Sequence, residues 1–238
     1  MTEPPLSCPP GPSLARQPCR AAECRSVQQV MTEAVGFDLD MTLIDSRPGI
    51  AATYRAISAR TGVHVDADLA VSRLGPPLRQ ELAEWFPPAD IERAVTLYRS
   101  LYPRYAIAPS RPMPGSREAL AAVRALGLRV VVVTSKIGHL AGLHLDHLEM
   151  ATDEVAGDRF GEGKAAALVE HEVRWYVGDH VADMVAAVRA GVPGIGVTTG
   201  PCSAAELEDG GASFVLPDLA AFPALLGGIA VGSAGAGG

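Results

Sequence analysis

Six short apolar runs, Ala34–Asp40, Arg129–Thr134, Ala151–Val155, Arg174–Gly178, Gly194–Thr198 and Ser213–Leu216, are together rich in Val and Ile and show no regular polar alternation. A strand with one wet face alternates, whereas a strand buried on both faces does not. Between the later runs lie helical patterns at Ser116–Ala125, Lys164–Glu172, Ala182–Ala190 and Ala204–Glu208. Strand and helix in turn predict a doubly wound α/β core around a parallel sheet. Aromatic residues make up only 5% of the chain, so that core must be built from Val, Leu, Ala and Ile.

One segment interrupts the alternation. From Ser46 to Pro112 there is no strong strand pattern. Helical stretches run instead over Gly49–Thr61, Asp66–Arg73, Leu78–Trp85 and Ala89–Tyr102, punctuated by Gly75-Pro76-Pro77, Pro87-Pro88, Pro103 and Pro109. The expected organisation is a core of residues 31–45 and 113–226 with a helical insertion, 46–112. Residues 1–30 carry Pro4-Pro5, Pro9-Pro10, Pro12 and Pro18 without a periodic apolar face, and are expected to be disordered. The Gly/Ala-rich residues 227–238 are expected to be a flexible tail.

Composition excludes several classes. A net charge of −7, a pI near 5.4 and the lack of a Lys/Arg run argue against a nucleic-acid surface. No apolar stretch reaches the roughly 18 residues of a membrane span, and the start lacks the apolar segment of a secretory signal. Cys8, Cys19 and Cys24 have spacings unsuited to a zinc site, and Cys202 has no partner in the folded part. A cytoplasmic protein is expected, with Met31 a candidate start of translation. Oligomeric state leaves no mark on the sequence.

In open α/β sheets ligands bind at the carboxyl ends of the strands. The first run ends in Asp38 and Asp40, which on one strand would point the same way. Two acids so close are costly unless a cation lies between them or a proton is shared. The second run ends in Thr134-Ser135-Lys136, a later helix starts near Lys164, and the fourth run ends in Gly178-Asp179-His180-Val181-Ala182-Asp183. Acids that hold a cation, a hydroxyl and an ammonium suit phosphoryl transfer. A carboxylate can be the nucleophile, and a second can protonate the leaving alkoxide and then activate water.

Each residue also has a plainer reading. Thr134 fits a turn, Lys164 a solvated charge, Asp179 a helix N-cap, and Asp183 the first-turn dipole. His139, His144 and His147 fit a polar helix face, His180 the mouth of the site, and Arg73, Arg79 and Arg104 are insertion cations that could meet an anion. The loop Gly191–Gly196 follows a helix and enters a strand, the wrong order for a dinucleotide fingerprint.

Four stretches in one order favour chemistry: Phe37-Asp38-Leu39-Asp40-Met41-Thr42-Leu43-Ile44-Asp45-Ser46, Val133-Thr134-Ser135-Lys136, Lys164, and Gly178-Asp179-x-x-x-Asp183. Over Val35–Leu226 the chain resembles the haloacid dehalogenase superfamily, in its phosphoglycolate-phosphatase-like branch. Leu74-Gly75-Pro76-Pro77-Leu78, Ala187-x-x-Ala190-Gly191-Val192-Pro193 and Gly196-Val197-x-x-Gly200 resemble that branch too. The third motif departs from the usual pattern, since Ala165 follows Lys164 where Pro is common.

The resemblance implies a Rossmann-like core with an inserted α-helical cap, and a Mg²⁺-dependent phosphatase acting on a small phosphorylated metabolite, phosphoglycolate-like or a sugar phosphate. It implies Asp38 as nucleophile and metal ligand, and Asp40 as acid/base whose backbone carbonyl also faces the metal. Thr134, Ser135 and Lys164 would hold the phosphoryl group, Asp179 and Asp183 would complete the Mg²⁺ site, and Gly75 and Arg79 would belong to the specificity region of the cap. A sugar-phosphate mutase of the same superfamily keeps both aspartates and is the alternative enzyme. A halide-releasing dehalogenase leaves Asp40 without a task. A phospho-acceptor signalling domain is the alternative of another class, but its lysine comes last, whereas Lys164 precedes Asp179.

Overall fold

The computed structural model of the chain describes Met1 and residues 33–234, with side chains through Ile229. The expectations for residues 1–30, their three cysteines and Met31 lie outside the described residues. Six parallel strands form the central sheet: β1 (Ala34–Phe37), β4 (Arg129–Val133), β5 (Glu154–Ala156), β6 (Val173–Gly178), β7 (Gly194–Val197) and β8 (Ala212–Leu216). Their order is β5-β4-β1-β6-β7-β8. Phe37 is in register with Val132 of β4 on one side and Val177 of β6 on the other. Both neighbours of the central strand are therefore supplied from far along the chain.

The unalternating apolar runs are explained by two cores. Val35, Phe37, Val130, Val132, Trp175 and Val177 pack on one face, where Phe37 meets Phe222 edge-on at 5.5 Å. Ala34, Val131, Val133 and Tyr176 pack on the other. Alternate residues of a strand thus serve opposite cores, and both need apolar side chains. Helices α5 (Ser116–Ala125), α7 (Glu162–Glu170), α8 (Val181–Ala190) and α9 (Ala204–Asp209) match their expected positions within about two residues.

Several elements of the core differ from expectation. Strand β5 starts at Glu154 rather than Ala151, because the Asp153 carboxylate takes the Val130 N–H at 2.7 Å and ends the regular ladder there. Helix α6 (Gly138–His147) was not predicted as an element. Helix α10 runs Phe222–Ala234, through the Gly227-Gly228 pair where a flexible tail was expected. Buried Phe222 and Leu226, with Ile229 packed behind them, hold it to the core at helical spacing.

The insertion leaves and re-enters through an antiparallel ribbon of β2 (Ile44–Asp45) and β3 (Arg111–Pro112), pairs too short to show a period in sequence. Between them are α1 (Arg47–Thr61), α2 (Ala67–Ser72), α3 (Leu78–Ala83) and α4 (Ile91–Tyr105). Their shared apolar cluster includes Tyr54, Ile57, Leu82, Tyr98 and Tyr102, and also Leu140 of α6. Among the described residues no helix is long and apolar enough to cross a membrane.

Candidate active site

The first acids do not share one strand face. Strand β1 ends at Phe37, and Asp38 is the last residue tied to the sheet, its N–H donating to Val177 O at 2.8 Å. The chain then turns through Met41 at φ +65°, and Asp40 bridges to Ile44. The two carboxylates take different partners: Asp38 accepts from Lys164 Nζ at 2.8 Å, and Asp40 from Lys136 Nζ at 2.5 Å and from Ser46 Oγ. Both still border one cavity.

Asp38, Asp179 and Asp183 form a buried cluster, one carboxylate oxygen of each lying within 4.8 Å of the others. Two glycines permit it. A Cβ at Gly178 would lie 2.5 Å from Asp183 Cγ, and one at Gly200 would lie 1.8 Å from Asp179 Oδ2. Thr42 Oγ1 donates to Asp179 at 2.7 Å. Asp183 accepts from Lys164 Nζ at 2.5 Å, Tyr176 OH at 3.1 Å and the His180 N–H at 3.2 Å. The N-cap of α8 is His180, whose Nδ1 takes the Ala182 N–H, and not Asp179.

Three carboxylates here face one ammonium. Burial pushes Asp38 up to about 7 despite Lys164, with Asp183 adding to the rise. Burial and then the Asp38 and Asp183 charges push Asp179 well above the usual carboxylate range. Such a donor set, all oxygen and short of positive charge, fits a hard divalent cation. The Asp40 carboxylate lies outside the cluster. Burial raises its pKa, but the Lys136 ammonium and the hydrogen bonds from Lys136 and Ser46 outweigh that and hold it below the usual value.

Thr134 is buried, and its Oγ1 accepts from the Lys136 N–H at 3.2 Å, the turn role its position also suggested. Ser135 borders the cavity and lies 3.4 Å from the Gly75 carbonyl. That contact brings the Gly75 loop of the insertion to the strand ends. Gly75 has φ +138°, and a Cβ there would sit 2.8 Å from the His180 ring. Arg79 also borders the cavity, ion-paired with Glu92 in an exposed position. Arg73 pairs with Glu81 at 2.6 Å. Arg104 stacks over Tyr105 and does not border the cavity.

Sequence reasoning assigned no role to Lys136, Ser46, Thr42 or Tyr176. Lys136, Thr42 and Ser46 stood inside the motifs without a task, and nothing local distinguished Tyr176. His144 corrects the expectation of a polar helix face: it is fully buried, with Nε2 2.9 Å from Tyr102 OH and Nδ1 2.8 Å from Ser110 Oγ.

Burial and the Lys136 charge push the His144 imidazole down to about 3, although Asp40 opposes this. An unfolded imidazole protonates near 6.5, so between these values the unfolded chain holds the extra proton. Stability is therefore lost as pH falls below about 6.5, by about 2.7 kcal/mol from this residue at about pH 4.5. Urea midpoints of the wild type and His144→Gln across pH 4–8 check this. The variant should lose less on acidification, and parallel profiles would exclude the effect.

A family model for haloacid dehalogenase-like hydrolases matches residues 35–187. The chain belongs to this family. Phosphoglycolate phosphatase of Chromobacterium violaceum is 30% identical over 201 residues, covering 74% of this chain and 89% of that protein. Tyrosine-protein kinase PtkA of Mycobacterium tuberculosis is 34% identical over 128 residues, 52% of this chain. The matched part is 44% of PtkA, so the chain spans about half the length of that relative. The fold also matches a haloacid dehalogenase-like hydrolase from Streptococcus pneumoniae, with a TM-score of 0.71 at 23% identity over 84% of this chain and 98% of that one.

Proposed function

We propose that this protein is a phosphatase that hydrolyses the phosphomonoester of a small metabolite through an aspartyl-phosphate on Asp38, with Mg²⁺ as cofactor. The observation that carries the reading is the buried cluster of Asp38, Asp179 and Asp183 around a single ammonium, bordering a cavity. Asp38 and Asp179 would hold the cation through their carboxylates, with Asp183 and the Asp40 backbone completing the set. When bound, Mg²⁺ neutralises phosphate charge beside the carboxylates.

Asp38 Oδ attacks phosphorus, and the bond to the leaving oxygen breaks as the Asp38–phosphorus bond forms. Lys164 holds Asp38 in place and, with Ser135 and Thr134, faces the transferring oxygens. Asp40 gives a proton to the leaving oxygen, then takes one from the water that cleaves the aspartyl-phosphate. At rest Lys136 and Ser46 keep Asp40 ionised, which suits the second half. The proton for the first half can arrive on the ester, whose second ionisation lies near 6. The helical insertion acts as a cap over the cavity, with Gly75 and Arg79 in its substrate-facing region, and a cytoplasmic setting fits the small substrate.

The test is a panel of phosphorylated metabolites assayed with Mg²⁺ and after chelation. EDTA should lower phosphate release at least about a hundredfold and added Mg²⁺ should restore it. Full turnover after exhaustive chelation removes the cation from the reading, and no release from any ester removes the reading itself.

A further inference from the structure

The cavity above the carboxylates has a volume of about 410 Å³. That lies in the range of pockets that enclose ligands of drug size, and far exceeds what a two-carbon acid fills. Its deep wall is apolar: Ile50, Tyr54, Val95, Tyr98, Tyr102 and Leu140 all border it, and all are at least 93% buried. Three of the chain's ten tyrosine and phenylalanine rings are gathered here, in contact with one another. Tyr54 and Tyr98 have centroids 5.0 Å apart, and Tyr98 and Tyr102 5.5 Å.

The charges at the cavity are mostly spoken for within the protein. Arg73 faces Glu81, Arg79 faces Glu92, Lys136 faces Asp40, and Lys164 faces Asp38 and Asp183. A carboxylate on the substrate, beside its phosphate, would find no deep cation to meet it. Arg99 also borders the cavity, and it is exposed on α4 rather than buried in the wall. The buried Arg73 Nε has no acceptor, and with its guanidinium already neutralised it suits a neutral oxygen better than an anion.

We infer that the substrate is the phosphomonoester of an alcohol with an apolar body of ring size, seated on the Tyr54–Tyr98–Tyr102 wall, rather than a phosphorylated two-carbon acid. The inference rests on the phosphatase reading and names the leaving group for it. Rings stack offset or edge-on against such a wall, and the area they bury contributes to binding in proportion.

The test compares 2-phenylethyl phosphate with ethyl phosphate and phosphoglycolate, using the full chain with Mg²⁺. Their leaving alcohols are unactivated, so intrinsic lability does not set the order. The kcat/KM for the phenylethyl ester should exceed both others by about 30-fold or more. Calorimetry with 2-phenylethylphosphonate and methylphosphonate reads the same preference without turnover. Val95→Phe, which fills the cavity, should shrink the phenylethyl-to-ethyl ratio at least about tenfold, and Leu78→Phe on the half-buried wall serves if Val95→Phe does not fold. Brisk hydrolysis that favours phosphoglycolate, or equal rates for all three with equal phosphonate affinities, overturns this inference and leaves the phosphatase reading standing. No hydrolysis of any ester overturns both.

Discussion

Asp38→Asn is expected to lower turnover by about four orders of magnitude or more while the fold persists. No other carboxylate is placed to substitute for a nucleophile at the end of β1, and an amide oxygen does not form the acyl phosphate. The fold should persist because the amide can still accept from Lys164 Nζ, which lies 2.8 Å from Asp38 Oδ1. Removing this charge also relieves crowding in a cluster where burial already pushes the Asp38 carboxyl up to about 7. Without Mg²⁺ the variant should melt at the wild-type temperature or above. Single-turnover assays with radiolabelled ester check the chemistry, and calorimetric scans check the fold. Phosphate release within tenfold of wild type would exclude Asp38 as nucleophile.

Lys164→Met is expected to cost both stability and activity. The ammonium lies 2.8 Å from Asp38 and 2.5 Å from Asp183, and Asp183 is 1% exposed. Removing one partner from a buried ion network leaves uncompensated charge, at a cost of about 3–5 kcal/mol. Part of that cost is avoided when Asp38, pushed up to about 7 by burial, takes up a proton, so the loss should be smaller at pH 5 than at pH 8. Saturating Mg²⁺ should recover more stability in the variant than in the wild type, since the cation supplies the missing charge. Activity should fall by about 10²–10³, the usual effect of removing one preorganised donor at a reacting oxygen. Denaturant midpoints with and without Mg²⁺ provide the measurement. An unchanged midpoint at pH 8 would mean that the network does not depend on Lys164.

The polar chain next to this network shows how the insertion is joined to the catalytic core. Asp40 reaches Lys136, whose ammonium lies 5.2 Å from the centre of the Tyr102 ring, and Tyr102 reaches His144 of α6. Residues from β1's end, the loop after β4, α4 and α6 thus meet in one buried contact set.

Much of this was legible in the sequence. Unalternating Val-rich runs fix a strand's burial on both faces whatever its neighbours are, so the parallel core could be read locally. Prolines and helical spacing marked the insertion for the same reason. The acids Asp38, Asp179 and Asp183 and the amine Lys164 stood at strand ends or helix starts, where such sheets place their chemistry. Tertiary structure alone decided the rest. It took strand order, with β1 between β4 and β6, to set Lys136 against Asp40 across 96 positions and Lys164 against Asp38 across 126. The end of β1 at Phe37 turned the two aspartates to different partners, which a period of two does not foresee. His144 looked like a surface residue because its two partners, Tyr102 and Ser110, arrive from the insertion and its return. The apolar cavity was hidden for a related reason: Tyr54, Tyr98 and Tyr102 read as ordinary helix core until α1, α4 and α6 come together. Periodicity reports which side of an element is buried, whereas a site is made by which elements share that burial, and that is settled only when the chain closes on itself.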